Sequence, residues 1–436
     1  MLKRLVTIAL WSVAPVLIFI GGNLYDPYLI TLRGWGHAAL MLGELAGIGA
    51  LLACGVWRRG GAAGKALILL WCLAPLAMLS AVTIFHLRKH AVLHAEGPRA
   101  QELGRHFIVG YSSFDEVASL AAKGLIAGIY VTRHNIEGRT ADALRLEISQ
   151  LQAIRRASGL PPLIVAADQE GGIVSHLSPP MTAMPALATL AALPPAERLA
   201  KAEAFGRTQG RELAALGITL NFSPVVDLLR TAAPNPLDFN SLISRRAISG
   251  DPEVVSDIAA AYARGLEANG VDATVKHFPG LGRVRSDTHH FRADLATSVA
   301  ELEATDWMPF RQVLGQSSAY LMVGHVAVTA IDSNRAASHS RRVINDLIRN
   351  KWGYQGIIIT DDLVMGPIYE HGVCTAVVEA LNAGVDLLLV AYDGLQFYRM
   401  YDCALSASTG GRLDETMLKN SLARLSPGIR AATKVE

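Results

Sequence analysis

Residues 276–290 have the sequence KHFPGLGRVRSDTHH and follow an apolar, β-branched run, residues 271–275, that predicts a β-strand. Lys276 and His277 are then expected at the C-terminal tip of that strand, which is where an α/β barrel carries its catalytic groups. One alternative is a solvated surface loop that contains several histidines by chance. Polar clusters at strand ends are seldom structural, so the number of ionisable groups here favours a functional site.

The same segment continues as a loop that brings a carboxylate close to an imidazole. Pro279 and Gly280 predict a sharp turn and a hinge, because glycine permits backbone conformations that other residues avoid. The loop ends in Asp287-Thr288-His289. A carboxylate two residues from an imidazole can fix the tautomer of that imidazole, as it does in many catalytic sites.

Composition separates the chain into a membrane part and a globular part. The 436 residues carry a formal net charge of +2, which argues against a nucleic-acid-binding protein, since such proteins usually show a strong basic excess. Apolar residues make up 51% of the chain and the mean hydropathy is +0.29, with the excess concentrated before residue 90. We predict a membrane anchor in residues 1–90 and one domain, long enough for a large barrel, in residues 91–436. The four cysteines show no metal-ligand spacing and predict no disulfide framework.

Three segments near the N-terminus are candidates for transmembrane helices. Residues 5–25 and 66–87 contain no Asp, Glu, Lys or Arg, and each is long enough to span a bilayer. Residues 34–57 are similar but include Glu44, which we expect to face another helix or to be protonated, because a carboxylate in lipid is costly. A cleaved signal peptide is the alternative for the first segment. The first segment is not followed by a clean small-x-small cleavage site, and two more apolar segments come after it. Both facts favour an uncleaved anchor.

Basic residues around these segments predict the orientation of the anchor. The start of the chain and the loop after the second segment are more basic than residues 23–33, which places both on the cytoplasmic side. Three crossings then carry the globular domain to the outer, periplasmic face of the cytoplasmic membrane, with membrane lipid as a partner of the helices. Arg88 and Lys89 run mildly against this orientation.

From residue 100 onward, short apolar runs alternate with segments of helical periodicity. Such alternation predicts a parallel sheet, and eight units predict a closed barrel rather than an open sheet. The predicted fold class is therefore α/β, a (β/α)8 barrel of the TIM type preceded by three transmembrane helices. The predicted strands are residues 107–110, 128–132, 163–167, 218–226, 271–275, 319–323, 356–360 and 385–390.

Many of these strands end in polar residues, and in a barrel such ends converge on one mouth. The residues are Asp168, Asp227, Lys276, His277, His325 and Asp361. For a single aspartate the alternative is a helix N-cap, which suits Asp227 and Asp362. Capping does not readily account for Lys276, His277 and His325 together.

Several motifs resemble those of glycoside hydrolase family 3, in its bacterial β-N-acetylglucosaminidase branch. They are DQEGG at 168–172, NFSPVVD at 221–227, KHFPGLG at 276–282 with DTH at 287–289, GHV at 324–326 and TDDLVM at 360–365. They occur in the family's order, and the resemblance covers roughly residues 100–430, close to the whole length of such a barrel. It implies a retaining hydrolase of β-linked N-acetylglucosamine, with an amino-sugar oligosaccharide as substrate and no metal or organic cofactor.

The resemblance also implies a role for each matching residue. Asp361 matches the nucleophile that forms the glycosyl-enzyme intermediate, His289 matches the acid/base, and Asp287 matches its orienting partner. The residues that match those holding the sugar hydroxyls are Asp168, Arg246, Lys276 and His277. Arg246 is chosen over Arg245 because Arg-Ala-Ile fits the family's pattern of an arginine followed by a small and an apolar residue.

Two positions depart from the family. Ile173 stands where arginine is common, and Leu281 stands where histidine is common. Both departures bear on the fine substrate preference, and neither touches the nucleophile or the Asp-Thr-His segment.

The residue types are also coherent on chemical grounds. A retaining glycosidase needs a carboxylate nucleophile and a group that first gives and then takes a proton. An unperturbed histidine titrates at about pH 6.5, so histidine can do both near neutrality. A histidine in this role also avoids a second anion beside Asp361.

The sequence is compatible with three functions. The first is a membrane-anchored retaining β-N-acetylglucosaminidase that acts on peptidoglycan-derived fragments. The second is a catalytically inactive sugar sensor that signals through its helices, which the presence of Asp361, Asp287 and His289 disfavours. The third is a β-glucosidase of the same broad family, whose acid/base is usually a glutamate in a further domain, and we expect no room for that domain in this chain.

Overall fold

The computed structural model describes residues 2–230 and 241–426 and divides the chain into two units, Met1–His94 and Ala95–Glu436. The first unit ends slightly later than the anchor predicted over residues 1–90, because its last helix continues to Leu93.

Three long helices make up most of the first unit: Leu2–Gly22, Trp35–Ala53 and Gly61–Leu93. Two short helical segments, Pro27–Leu32 and Val56–Arg59, connect them. All three long helices are long and apolar enough to cross a bilayer. Their leucine, isoleucine and phenylalanine side chains are extensively exposed, which suits a lipid environment.

Side chains between these helices form a small core of their own. The indole N–H of Trp71 donates a hydrogen bond to the carbonyl oxygen of Leu10 at 3.1 Å, and the ring packs with Leu51 and Leu67. Glu44 is 1% exposed, and its carboxylate oxygens have no hydrogen-bond partner among the described residues. Glu44 therefore faces the inside of the helix unit, as expected for a carboxylate in an apolar helix.

The second unit is built on eight parallel strands in the described part of the chain. They are β1 Phe107–Gly110, β2 Gly128–Val131, β3 Ile164–Ala167, β4 Leu220–Asn221, β5 Thr274–Phe278, β6 Tyr320–Val323, β7 Ile358–Asp362 and β8 Leu387–Val390. The order in the sheet is β4-β3-β2-β1-β8-β7-β6-β5. Parallel bridges from Leu220 to Asp272 and from Val225 to Lys276 join β4 to β5 and close the ring. The prediction of a (β/α)8 barrel is thereby confirmed.

One principal helix follows each strand and packs on the outside of the barrel. They are α1 Phe114–Lys123, α2 Ala141–Ala157, α3 Pro195–Leu216, α4 Pro252–Glu267, α5 Met308–Gln316, α6 Arg342–Lys351, α7 Val373–Ala383 and α8 Gln396–Thr409. Helix α6 has π-type winding. Ser113, Thr140 and Asp251 begin α1, α2 and α4, because each accepts a backbone N–H of the first turn.

Shorter elements decorate this framework. The helical ones are Pro98–Gly104, Arg133–Ile136, Leu187–Leu190, Ile243–Arg246, Val299–Ala304, Ala337–His339, Gly366–His371 and Glu415–Arg424. Gln169–Gly171 pairs antiparallel with Val174–Ser175 directly after β3. Ala293–Leu295 pairs in parallel with Val326–Val328, which joins the long loop after β5 to the segment after β6.

The interior of the barrel is filled by large apolar side chains from most of its strands. Ile108, Tyr130, Phe222, Met322 and Leu389 are among them, and each is at most 5% exposed. Outside the barrel, a disulfide between Cys374 and Cys403 joins α7 to α8. The spacing of the cysteines in the sequence did not predict this bond.

Candidate active site

A buried cluster of charged side chains lies at the C-terminal ends of β3 and β5. The ammonium group of Lys276 is almost fully buried and donates to the carboxylate of Asp168, and it lies 2.7 Å from an oxygen of Glu170. Burial would raise the pKa of Asp168, but the positive charges of Lys276 and His176 lower it to about 2. Burial would lower the pKa of Lys276, but the two carboxylates raise it above its ordinary value. The cluster is therefore ionised.

Arg246 joins this cluster from the short helix Ile243–Arg246. Its guanidinium group donates to both oxygens of Glu170, at 2.6 and 3.0 Å. Burial would raise the pKa of Glu170, but Arg246 and the nearby ammonium group lower it. Arg245 is exposed, so the structure brings Arg246, and not its neighbour, into the cluster.

The imidazole of His277 is held by a buried carboxylate. Its Nδ1 lies 2.7 Å from Asp227, and because a carboxylate only accepts hydrogen bonds, Nδ1 carries the proton. The backbone N–H groups of His277 and Leu281 also donate to Asp227. On the other side, a guanidinium nitrogen of Arg246 lies 3.4 Å from Nε2. The ring therefore presents a fixed tautomer at the mouth of the barrel.

The helix-cap alternative for Asp227 and Asp362 is wrong. Asp227 is fully buried and holds the imidazole described above. The carboxylate of Asp362 accepts backbone N–H groups of Val364, Ala391 and Tyr392 at 2.8–3.0 Å, which ties the end of β7 to the end of β8. The donors nearest to each carboxylate belong to strand ends and loops that the barrel brings together, and not to the first turn of a helix.

Asp361 lies at the end of β7, within the electrostatic influence of three imidazoles. One of its oxygens accepts the backbone N–H of Asp362 at 2.8 Å. Burial would raise the pKa of Asp361, but His277, His325 and His289 lower it below its ordinary value. Burial raises the pKa of Asp362 to about 6. Because these environments shift the pKa values of the two neighbouring carboxylates in opposite directions, Asp361 is the one that stays ionised under mildly acidic conditions.

His289 and Asp287 lie on the loop after β5. Nδ1 of His289 is 3.0 Å from Oδ1 of Asp287, which is fully buried and also accepts a hydrogen bond from the hydroxyl of Ser241 at 3.3 Å. Nδ1 therefore carries the proton, and Nε2 is the nitrogen that can act on a substrate. The side chain of His289 is 40% exposed, so a ligand can reach it.

This loop is fixed to the segments that follow β6 and β7. The backbone carbonyl of His289 accepts the N–H of Gly366 at 2.8 Å, immediately after β7. The far end of the loop is held by the pairing of Ala293–Leu295 with Val326–Val328. These contacts place His289 on the same side of the barrel as Asp361, in agreement with its effect on the pKa of that carboxylate.

Two further residues of the site were missed in the sequence. The hydroxyl of Tyr130, in β2, donates to Asp168 at 2.7 Å and lies 3.3 Å from Nδ1 of His176. Tyr130 belongs to an apolar strand, so its sequence context indicated only a core residue. Glu170 stood within a recognised motif without an assigned role. Its position two residues after Asp168 was the available signal, because alternate residues of an extended chain point to the same side.

A cavity of about 820 Å³ lies at the opposite end of the barrel. Its lining includes Ala319 and Tyr320 at the start of β6 and Gly356 and Ile357 just before β7. Catalytic groups of this fold gather at the C-terminal ends of the strands, so we place the site at the charged mouth and not at this cavity.

The mouth combines groups suited to the chemistry of a sugar. Asp361 offers an ionised carboxylate, and His289 offers an imidazole whose other nitrogen is tied to a buried carboxylate. Charged donors and acceptors beside them can bind hydroxyl groups. The arrangement suits nucleophilic attack at an anomeric carbon with proton transfer to the departing oxygen.

Comparison with known proteins decides the family. Residues 100–427 match the model of the glycosyl hydrolase family 3 N-terminal domain. The chain belongs to glycosyl hydrolase family 3. A β-hexosaminidase of Stenotrophomonas maltophilia strain R551-3 is 35% identical over 303 residues, which are 69% of this chain and 84% of that protein. A β-hexosaminidase of Pseudomonas aeruginosa strain LESB58 is 35% identical over 269 residues, which are 62% of this chain and 76% of that protein.

Solved structures of this family agree with that assignment. A family 3 β-N-acetylglucosaminidase from Paenibacillus sp. strain FPU-7 has a TM-score of 0.69 and 31% identity, and the match covers 78% of this chain and 64% of that chain. The β-N-acetylhexosaminidase of Beutenbergia cavernae has a TM-score of 0.66 and 28% identity, and the match covers 76% of this chain and 98% of that chain. This family 3 chain is thus an O-glycosyl hydrolase of the β-hexosaminidase type, as the motifs predicted.

Proposed function

We propose that this family 3 enzyme is a membrane-anchored, retaining exo-glycosidase that removes terminal β-linked N-acetylglucosamine from peptidoglycan-derived fragments. One observation carries the proposal: Asp361, at the end of β7, lies at the same barrel mouth as His289, which is oriented by the buried Asp287. These two groups are the nucleophile and the acid/base that retention of configuration requires.

The proposed first step forms a covalent intermediate on Asp361. A carboxylate oxygen attacks the anomeric carbon and forms an ester, while the bond from that carbon to the leaving oxygen breaks. The Nε2–H of protonated His289 gives its proton to the leaving oxygen. Asp287 accepts the hydrogen bond from Nδ1 throughout and stabilises the imidazolium by its charge.

The second step reverses the proton transfer. Neutral His289 takes a proton from water at Nε2, and the water oxygen attacks the anomeric carbon. The ester bond breaks, and the carboxylate of Asp361 is restored together with the sugar hemiacetal. A histidine suits both steps because it can change its charge near neutral pH.

The charged cluster is proposed to bind the sugar hydroxyls. Asp168, Lys276, Arg246 and His277 carry this role, and Glu170 belongs with them because it contacts two of the four. Their mutual ion pairs hold them in place before a ligand arrives. Preorganised groups bind a ligand at a lower entropic cost than flexible ones do.

The location proposed for the barrel is the periplasmic face of the cytoplasmic membrane. The basic residues of the anchor favour it, and the bond between Cys374 and Cys403 adds an independent argument, because disulfides persist mainly in oxidising compartments. On that side an enzyme for N-acetylglucosamine meets cell-wall material, which supports peptidoglycan fragments as the substrate.

A panel of nitrophenyl glycosides tests the activity. The full chain in detergent is expected to cleave the N-acetyl-β-glucosaminide and to leave the β-glucoside almost intact, and Asp361→Asn, purified in parallel, excludes a contaminating hydrolase. Preferential cleavage of the glucoside would instead assign the protein to the β-glucosidases. Cleavage of neither, with binding of N-acetylglucosamine retained, would leave the inactive sensor as the better description.

A further inference from the structure

Beside the catalytic mouth, three potential metal ligands come together from separate segments. His339 ends the short helix Ala337–His339 after β6, His371 ends the helix Gly366–His371 after β7, and Glu379 lies in α7. One ligand atom from each residue lies within 4.8 Å of the others. We propose that His339, His371 and Glu379 form a binding site for a divalent transition-metal ion, with Zn²⁺ as the representative ion.

The hydrogen bonds around His339 leave one of its nitrogens without a partner. Nε2 of His325 lies 2.9 Å from the carbonyl oxygen of Asp362, so Nε2 donates and Nδ1 of the neutral ring accepts. That Nδ1 accepts a hydrogen bond from the hydroxyl group of Ser338 at 2.8 Å. The single proton of Ser338 is then used, and its oxygen accepts Nδ1–H of His339 at 3.2 Å.

The remaining nitrogen of His339 therefore carries a bare lone pair. His339 is 3% exposed, and its Nε2 has no hydrogen-bond partner among the residues that the structure describes. A buried polar atom of this kind costs free energy unless something binds it. A neutral imidazole that donates its other N–H to a neighbouring oxygen is the usual form of a histidine ligand to zinc.

The other two ligands need only small adjustments. Nε2 of His371 lies 2.8 Å from one oxygen of Glu379, and the two histidine rings lie 4.5 Å apart between centroids. Donor atoms on a tetrahedral zinc ion are about 3.3 Å apart, given metal-ligand bonds of about 2 Å. The ion would replace the hydrogen between His371 and Glu379, and His371 would then carry its proton on Nδ1.

Arg335 affects both the orientation of Glu379 and the expected affinity of the site for a cation. It pairs with the second oxygen of Glu379 at 2.8 Å, which orients the carboxylate in the manner of an outer-shell partner. Its positive charge also opposes a cation, so we expect an affinity below that of dedicated structural zinc sites. Bound metal would connect the segments after β6 and β7 to α7, close to the nucleophile.

Zinc titration of the full chain tests the proposal independently of glycosidase activity. The protein in detergent is stripped of metal with a chelator, dialysed and titrated with Zn²⁺ in a calorimeter. Wild type is expected to bind one equivalent of Zn²⁺ that His371→Ala lacks, and Glu379→Gln is expected to weaken binding by more than the roughly 10–100-fold typical of outer-shell changes. These two side chains are partly exposed, so their loss does not threaten folding as loss of His339 would.

Two control variants separate this site from others. Glu370→Gln, which changes an exposed carboxylate in the same region, is expected to bind Zn²⁺ like wild type. His289→Ala is also expected to retain the equivalent that His371→Ala loses. Zn²⁺ should raise the melting temperature of wild type and Glu370→Gln but not of His371→Ala. Equal binding by all variants, or a loss confined to His289→Ala, would overturn the proposal.

Discussion

At the scale of single residues, Asp361 and Asp362 are neighbours with opposite expected roles. Asp361→Asn should lower turnover by about 10⁴-fold or more, because an amide cannot form the glycosyl ester. It should leave the fold intact, since asparagine keeps an oxygen that can accept the backbone N–H of Asp362. Turnover of a nitrophenyl N-acetylglucosaminide and thermal unfolding of the same samples measure both effects.

Asp362→Asn provides the matched comparison. Both oxygens of Asp362 accept backbone N–H groups, and an amide nitrogen would oppose one of these donors. We expect a loss of about 1–3 kcal/mol in the free energy of unfolding and a smaller loss of turnover than in Asp361→Asn. If Asp362→Asn were the variant that lost turnover, the nucleophile would be assigned to the wrong carboxylate.

The role of His289 can be measured through the leaving group. A nitrophenolate departs with little help, whereas a sugar alkoxide needs a proton. His289→Ala should therefore lose about 10²–10⁴-fold on a disaccharide and much less on the aryl glycoside. Asp287→Ala should show the same trend more weakly, because it orients the ring without transferring the proton. A ratio of the two turnovers that equals that of wild type would show that His289 only binds sugar.

The residues at strand ends could be predicted from the sequence, but their partners could not. Asp361, Lys276 and His277 follow or end apolar runs, and the fold alone then gathers them at one mouth. Asp227 also ends such a run, yet its carboxylate serves an imidazole 50 positions later in the chain. A local sequence pattern shows only which residues are neighbours along the chain. In such a pattern, an aspartate that caps a helix cannot be distinguished from one that binds a side chain of another strand.

At the scale of elements, the ion pair of Asp168 and Lys276 links the ends of β3 and β5. The pKa of Asp168 is about 2, below its ordinary value, so the stability it contributes is present above about pH 4 and is lost as the pH falls towards 2. The difference in unfolding free energy between wild type and Asp168→Asn should therefore shrink by about 2 kcal/mol over this range. Urea unfolding followed by tryptophan fluorescence measures it.

A surface variant supplies the reference for that experiment. Asp142 is 82% exposed in α2 and pairs with Arg145 on the same helix. Asp142→Asn should change stability by little, because exposed pairs contribute little. A difference between wild type and Asp168→Asn that did not vary with pH would contradict the assignment of an ionised, buried Asp168.

The disulfide between α7 and α8 makes a second prediction at this scale. Cys374 and Cys403 are 29 positions apart, and closing a loop of that length stabilises a protein by about 3.5 kcal/mol in the chain-entropy model. For a domain of this size, reduction or Cys374→Ser should lower the melting temperature by about 5 °C. Cys54→Ser, at a free cysteine, should not. Alkylation of the unreduced, unfolded protein should label two thiols, and labelling of four would disprove the bond.

All eight strands were predictable, and the deviations have local causes. The run predicted over residues 218–226 forms a regular ladder only at Leu220–Asn221, because Pro224 has no N–H to donate and the chain continues through isolated bridges. β5 begins and ends three residues later than predicted, so Lys276 and His277 are part of the strand itself. An apolar run in the sequence indicates the buried part of a strand. Polar residues at a functional mouth can continue the same strand, and the apolar pattern does not indicate them.

At the scale of the whole molecule, hydropathy alone separated the two units. The three apolar segments became the three long helices of the first unit: the first helix begins and ends three residues earlier than the predicted segment, the second lies within its segment, and the third extends beyond its segment at both ends. The three ligands of the proposed metal site were not foreseeable, because they come from separate segments, and no short motif holds them. Side chains brought together only by barrel closure leave no local pattern.

The orientation of the anchor gives the last prediction. If the basic start of the chain and the basic loop at Arg58 and Arg59 lie in the cytoplasm, as the positive-inside rule predicts, three crossings would carry the barrel to the outer side. Alkaline phosphatase fused after residue 436 should be active, because it folds only after export, and green fluorescent protein at the same position should be dark. Fusions directly after Arg59 should give the reverse result and serve as the internal control. Fluorescence at the C-terminal fusion, with an inactive phosphatase there, would place the barrel in the cytoplasm, where the bond between Cys374 and Cys403 would not be expected to persist. The fusion reporters and the thiol labelling should therefore agree: an exported barrel should have two free thiols and a cytoplasmic barrel should have four. An exported barrel with four free thiols, or a cytoplasmic barrel with two, would contradict the link between location and disulfide.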